Sequence, residues 1–250
     1  MTNKSSPLNL PEVEPAQFEK NFIKTAVCEL RFPALLEFEK NQLGKLQHEL
    51  RKEFPNYEKQ QSFSLLNPEE KEMRHLLTSR KKEWIVSIRT YSIAVQTDRY
   101  THFGEFSAMA NRVFAKALPL LDTDFFTRVG LRYINEIRIE DGEVAGWINE
   151  DLIAPIAHGI YCKVDRFMQE VRGTGKTGQF TFRHGIAGPE EAKRDIYIVD
   201  FDFYNENVQA EAVAAMMSDF NREAFQFFRW AMGPKAMTRL GKPMTREDKS

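Results

Sequence analysis

The sequence predicts an α+β protein, with a largely antiparallel sheet or sheets covered by long amphipathic helices. Three observations point there. Short runs that alternate apolar and polar residues outnumber helical runs, and connections such as NPEEKE, RKKE and TY are too short for a parallel crossover. Longer segments with apolar residues at helical spacing separate groups of these strands. Phe is also unusually frequent, with 20 residues against 3 Trp and 7 Tyr. It buries a large area with no polar atom to satisfy, which suits broad sheet–helix interfaces.

Residues 1–16 are polar and Pro-rich and read as a flexible N-terminal arm. AVCELRF, Ala26–Phe32, alternates as a strand that Pro33 ends. Leu36, Leu43, Leu46 and Leu50 have helical spacing, and Pro55 stops that helix. Strands are expected near Tyr57–Leu66, Met73–Arg80, Trp84–Arg89 and Ser92–Thr97, then a helix over Phe103–Leu121 and a long strand over Phe125–Ile139. DGEVAGWINE, Asp141–Glu150, carries turn signals and divides a first half, 17–140, from a second, 141–232. The second half offers a short helical piece at Asp151–His158. Strands follow near Lys163–Arg172, Gln179–Ala187 and Arg194–Tyr204, then a long helix from Gln209 to Met232. On that helix Met216, Phe220, Phe227 and Trp230 are the expected inner face, and residues 233–250 are a polar tail. Both halves run from sheet to helix, which suggests two loosely related β/α halves, although no residue-level repeat is visible.

Net charge is −1, from 35 basic and 36 acidic residues, so the chain lacks the global field of a dedicated nucleic-acid binder. Cys28 and Cys162 stand alone in apolar settings, outside any CxxC or Cys/His cluster. That pattern gives no zinc site and no disulfide framework, and it fits a reducing cytoplasm. No run approaches the length of a membrane span, and the N-terminus has no signal-type apolar stretch. The expectation is a cytoplasmic protein with no membrane partner and no cofactor.

RGTGKTG, Arg172–Gly178, invites a nucleotide-loop reading. The phosphate loop requires G-x-x-x-x-G-K-[ST] between a buried strand and a helix. Counting back from Gly175, the first glycine position holds Glu170, and the following QFTF alternates as a strand. The stretch therefore reads as the tip of a hairpin, with an anion-contacting tip as the alternative.

The long strand carries the most informative pattern, RVGLRYINEI over Arg128–Ile137. Val129, Leu131, Tyr133, Asn135, Ile137 and Ile139 share one face, which suits a core. Arg128, Gly130, Arg132, Ile134, Glu136 and Arg138 share the other, with Gly130 leaving space between two guanidinium groups. Arginine forks suit carboxylate or phosphate; self-pairing on a solvated strip is the bland alternative. In IYIVDFDFYNE, Asp200 and Asp202 project from one strand face, while Tyr197, Val199, Phe201 and Phe203 take the buried one. Two carboxylates roughly 7 Å apart on a strand can share a divalent cation, neutralise Arg128 and Arg132, or be solvated.

With its RxGLRYIN-like central strand, the chain resembles a sporadically distributed family of uncharacterised bacterial proteins of about this length. The resemblance extends loosely to AVCELRFP, to the VDFDF strand and to the final Phe-rich helix, and so covers nearly the whole chain. It implies no established activity, cofactor or catalytic residue. The family's patchy distribution is like that of mobile accessory genes, including defence and toxin-linked loci.

The five histidines, His48, His75, His102, His158 and His184, are scattered. His184, beside a Gly-rich bend, reads as a loop or strand-edge residue. Arg80, Lys81 and Lys82, with Arg74 upstream, form a basic cluster that suits a solvated hairpin. No GxSxG, HExxH or complete dinucleotide fingerprint is present. The leading expectation is a non-catalytic binding or regulatory protein. It would recognise a protein partner, a second copy or an anionic small ligand on a polar sheet face carrying Arg128, Arg132, Arg138, Asp200 and Asp202. One rival is a metal-dependent phosphoesterase or nuclease using the Asp pair. Another is a structural subunit with an apolar patch at Phe225, Phe227 and Phe228.

Overall fold

A computed structural model describes residues 10, 12–35, 38–63, 71–140, 142–157, 159–161, 164–187 and 195–244. The expectations for Leu36, His158 and Cys162, and for the ends of three predicted strands, lie outside these residues. The strands are β1 (Ile23–Arg31), β2 (Asn56–Phe63), β3 (Lys71–Thr78), β4 (Trp84–Arg89), β5 (Ser92–Thr97), β6 (Phe125–Arg138), β7 (Phe167–Thr174), β8 (Gln179–Ile186) and β9 (Ile196–Gln209). They form one antiparallel sheet in the order β2-β3-β4-β5-β1-β6-β9-β8-β7. Five α-helices accompany it among the described residues: α1 (Leu43–Leu50), α2 (Phe103–Leu121), α3 (Glu150–Ala157), α4 (Val213–Ala231) and α5 (Pro234–Leu240).

The α+β expectation holds, and the order of the strands has a simple logic. The strands fall into two groups, β1–β5 and β6–β9, and in each the first strand lies beside the last, β1 against β5 and β6 against β9. The strands between them fan outward by hairpins to an edge. Hairpin chemistry enforces this locally. Between β3 and β4 the Ser79 N–H donates to the Trp84 carbonyl, the Lys82 N–H donates to the Ser79 carbonyl, and Lys82 takes φ 59°. Arg80, Lys81 and Lys82 are exposed there, as a solvated turn requires.

The chain divides into two compact units. One contains Thr25–Leu131 and Tyr204–Met217. Ala26, Cys28 and Leu30 of β1, Val86 and Ile88 of β4, and Ile93 and Val95 of β5 make its sheet core. Leu46 and Leu50 of α1 and the stripe Phe106, Ala110, Val113, Ala117 and Leu121 of α2 are buried with them. α2 starts where the His102 ring accepts the Glu105 N–H at 3.2 Å, satisfying an N-terminal donor that the helix itself leaves unpaired. Leu43 is the start of regular α-helix, after a wider turn over Phe38–Gln42.

The other unit contains Arg132–Phe203, the chain up to Lys24 and the chain from Ser218. Its core is aromatic. Phe227 of α4 sits 4.8 Å from Phe182, 5.3 Å from Phe201 and 5.5 Å from Phe180. Phe182 and Phe201 stack at 5.0 Å on neighbouring strands. The buried stripe of α4 is Phe220, Ala224, Phe227 and Ala231 in this unit, with Val213 and Met217 belonging to the first. Met217 is therefore buried where Met216 was expected, because β9 runs on to Gln209 and the helix enters from Val213. Phe227 is buried, and Phe225 stacks on Phe18 at 6.3 Å, so neither forms the exposed patch considered for the final helix. Beyond it, Pro234 opens α5, which buries Ala236 and Leu240, where the composition had suggested only a polar tail.

Candidate functional site

Alternation on β6 separates its two faces as read from the sequence. Val129, Leu131, Tyr133, Asn135, Ile137 and Ile139 are buried. The polar face carries two arginines with different fates. Arg128 Nη1 donates to Glu29 Oε2 at 3.2 Å, and its guanidinium lies 4.5 Å from the Tyr204 ring centroid. A Cβ on Gly130 would collide with that guanidinium. The space left by Gly130 is thus filled by Arg128 itself rather than kept for a ligand.

Arg132 forms a fork with Asp200 of β9, Nε to Oδ1 at 2.8 Å and Nη2 to Oδ2 at 2.7 Å. Asp200 is buried while the Arg132 side chain is 40% exposed. Arg183 of β8 approaches the same carboxylate, its Nη1 3.6 Å from Oδ2, and donates through Nε to Glu170 Oε2 at 2.5 Å. Arg172 Nε completes the row by donating to Glu170 Oε1 at 2.7 Å. The result is a ladder of alternating charge, Arg132–Asp200–Arg183–Glu170–Arg172, laid across β6, β9, β8 and β7. The Asp200 bond holds the Arg132 proton more tightly despite its burial, and the Asp202 charge adds to that. The bond from Arg183 holds the Glu170 carboxyl below the ordinary carboxylate range, with Arg172 helping.

The five predicted residues therefore do not form one set. Arg132, Asp200 and Asp202 come together, and Arg128 belongs to a separate group with Glu29 and Tyr204. Arg138 is exposed, and its side chain has no hydrogen bond or ion pair among the described residues. Both Asp200 oxygens are committed to a guanidinium. No group of three or more His, Cys, Asp or Glu side chains comes together as metal ligands among the described residues. Arg183 and Glu170 were missed. The signal was present in Glu170-x-Arg172, opposite charges on one face of a strand. Pairing registers Glu170 against Arg183, which the sequence does not state.

The RGTGKTG stretch is the tip joining β7 to β8, as its alternating flanks predicted. It also holds an anion. The Glu223 carboxylate of α4 accepts the Lys176 N–H at 2.7 Å, the Thr177 N–H at 3.1 Å and the Thr177 hydroxyl at 2.5 Å. A Cβ on Gly175 would overlap a Glu223 oxygen. Successive main-chain N–H groups in a glycine-rich turn form an anion-binding concavity, and here the anion is a side chain of the same protein. The warning sign was an acid on the apolar stripe of α4, between Phe220 and Phe227.

His184 is buried within β8, not in a loop or at an edge. Its Nδ1 is 2.7 Å from the Tyr197 hydroxyl, and Phe182 stacks on the ring at 4.8 Å. Burial pushes the imidazole down to about 4 and the Tyr197 phenol upward. The Cys28 thiol is likewise pushed up by burial, then by the Glu29 charge. Neither group faces the ladder side of the sheet. A groove of about 680 Å³ lies between α1 and α2. Of the two lysines that line it, Lys45 and Lys116, Lys116 already donates to the Glu49 carbonyl and to Glu53.

No family model matches this chain, and no curated protein matches it either. No described helix is long and apolar enough to cross a membrane.

Proposed function

We propose that this chain is a non-catalytic binding or regulatory protein that recognises a protein partner through the Arg132–Asp200–Arg183–Glu170–Arg172 ladder. The observation that carries this reading is the ladder's combination of fixed geometry and partial exposure. Its arginines are oriented by fork and end-on bonds, yet Arg132, Arg183 and Arg172 keep 40%, 33% and 69% of their side chains exposed. Arginine is enriched at protein interfaces because its planar fork is pre-organised and can keep a partner while gaining another. Alternating charge favours a partner with its own alternating charges over a simple anion, which would have to displace Glu170 or Asp200. The metal-dependent phosphoesterase reading draws no support from an Asp200 held by two arginines. The resemblance to a family with defence or toxin-linked distribution remains a proposal of context, without weight in the chemistry.

The test is affinity capture from the source organism with wild type, Arg132→Glu/Arg183→Glu and, as a control away from the ladder, Lys45→Glu. Each eluate is examined for proteins and for small molecules. The reading expects one protein retained by wild type and Lys45→Glu and lost, at least tenfold, from the double variant. A protein bound equally by all three refutes the ladder as the interface. A small anion in place of a protein replaces the partner reading with a ligand-binding one.

A further inference from the structure

The two edges of the sheet are built differently. At β2, Asn56–Gln61 are all exposed and include Glu58, Lys59, Gln60 and Gln61, charged and amide groups that discourage edge pairing. At β7 the edge is apolar in part. Val171 is 50% exposed and Met168 is 41% exposed. Ile160 and Tyr161, just before β7 in sequence, are also exposed. Four of the five large hydrophobic residues exposed among the described residues thus fall between Ile160 and Val171. Such a concentration beside an open edge marks an interaction surface.

The occupant follows from the strand's own pattern. The Gly175 N–H donates to the Gly178 carbonyl, closing the hairpin. In an antiparallel ladder directly opposed residues alternate between bonded and non-bonded pairs. Odd-numbered residues of β7 therefore spend their main-chain groups on β8. Met168, Glu170, Arg172 and Thr174 direct theirs outward. We infer that β7 pairs antiparallel with β7 of a second copy about a two-fold axis at Val171, extending the sheet from one protomer into the other.

In that register Glu170 lies opposite Arg172 of the second copy and Arg172 opposite its Glu170, two reciprocal charge pairs. Met168 lies opposite Thr174. These are the residues with outward main-chain groups, so the hydrogen-bonding phase and the charge pattern agree. The two Val171 side chains meet at the centre. Since Val171 is registered against Phe182, the apolar row beneath α4 continues across the junction. A two-fold interface must be self-complementary, residue i on j and j on i, and β7 meets that condition around Val171. The second copy takes Glu170 and Arg172, the outer end of the ladder, and leaves Arg132, Asp200 and Arg183 to the proposed partner; the readouts, oligomeric state and cross-linking, are independent of partner capture.

The experiment combines light scattering after size exclusion with cysteine cross-linking in a Cys162→Ser background. Wild type is expected to be a dimer, and Val171→Lys a monomer with an unchanged circular dichroism spectrum. Val171→Cys is expected to form an intermolecular disulfide on mild oxidation, because opposed Cα atoms of a non-bonded pair lie about 4.5 Å apart. Met168→Cys is expected to stay reduced, as its two copies would be about 20 Å apart along the strands. A wild type still monomeric at about 100 μM, well above the micromolar limit of standard interfaces, overturns the inference. A dimer that survives Val171→Lys, or one in which Met168→Cys cross-links and Val171→Cys does not, overturns it as well.

Discussion

Glu170 and Glu223 are bound to the same hairpin, one on its stem and one at its tip, and each holds several donors. Glu223 is buried and accepts two main-chain N–H groups and a hydroxyl. Glu170 is exposed and accepts two guanidinium groups. The count of bonds, three against two, is not what separates them. At the tip, a buried carboxylate is satisfied by two part-buried main-chain groups and a hydroxyl that the turn brings to it, so it is part of the fold. On the stem, water replaces either partner at little cost, so the charges are available for recognition.

The largest effect is expected at the tip. Glu223→Ala leaves the Lys176 and Thr177 N–H groups unsatisfied and should destabilise the protein by about 3–4 kcal/mol, lowering Tm by roughly 10 °C. Glu223→Gln keeps an acceptor oxygen and should lose about half as much. Thermal unfolding followed by circular dichroism measures both. A shift of only a degree or two for Glu223→Ala would mean that the tip reorganises and that the distinction between tip and stem is false.

The buried His184–Tyr197 pair sharpens the comparison through pH. The folded chain keeps His184 neutral until about pH 4, whereas the unfolded chain takes up a proton near pH 6.5. Its neutral ring therefore contributes fully above about pH 6.5, and this stability is lost as pH falls toward 4. The loss should approach about 3 kcal/mol for the wild type. The test is urea unfolding of wild type and His184→Gln at several pH values. The stability gap between them should narrow on acidification, and a constant gap would show that His184 titrates normally.

The smallest effects are expected on the ladder. Asp200→Ala should cost about 1–2 kcal/mol, because the half-exposed Arg132 and Arg183 regain water when their shared partner goes. Glu170→Gln should leave Tm unchanged within error while still weakening partner capture. If Glu170→Gln unfolds the protein as readily as Asp200→Ala, the stem is structural too, and the recognition reading loses its basis.

Much of this fold was legible in the sequence because alternation is a local signal. The two faces of RVGLRYINEI, the buried face of IYIVDFDFY and the limits of α2 all follow from spacing within one segment. Rejection of the nucleotide loop followed equally from a missing glycine and a strand where a helix was required. Element ends were less legible. β9 continues to Gln209 through NENVQ, a stretch with no apolar alternation, in which Asn207 takes a left-handed φ of 53° and only Val208 is buried.

The site was legible by residue type but not by pairing. Sequence alone determined that Arg128, Arg132, Asp200 and Asp202 leave the core face of their strands, because a side-chain period of two admits no other result once the apolar set is buried. Only the tertiary structure decided which charges meet. Strand order set Arg132 against Asp200 and Arg128 against Glu29, and the packing of α4 brought Glu223 to the hairpin tip. Those partners lie 68, 99 and 46 or 47 residues apart in the chain. Periodicity reports which way a side chain points, but the identity of its neighbour is a property of how distant segments pack.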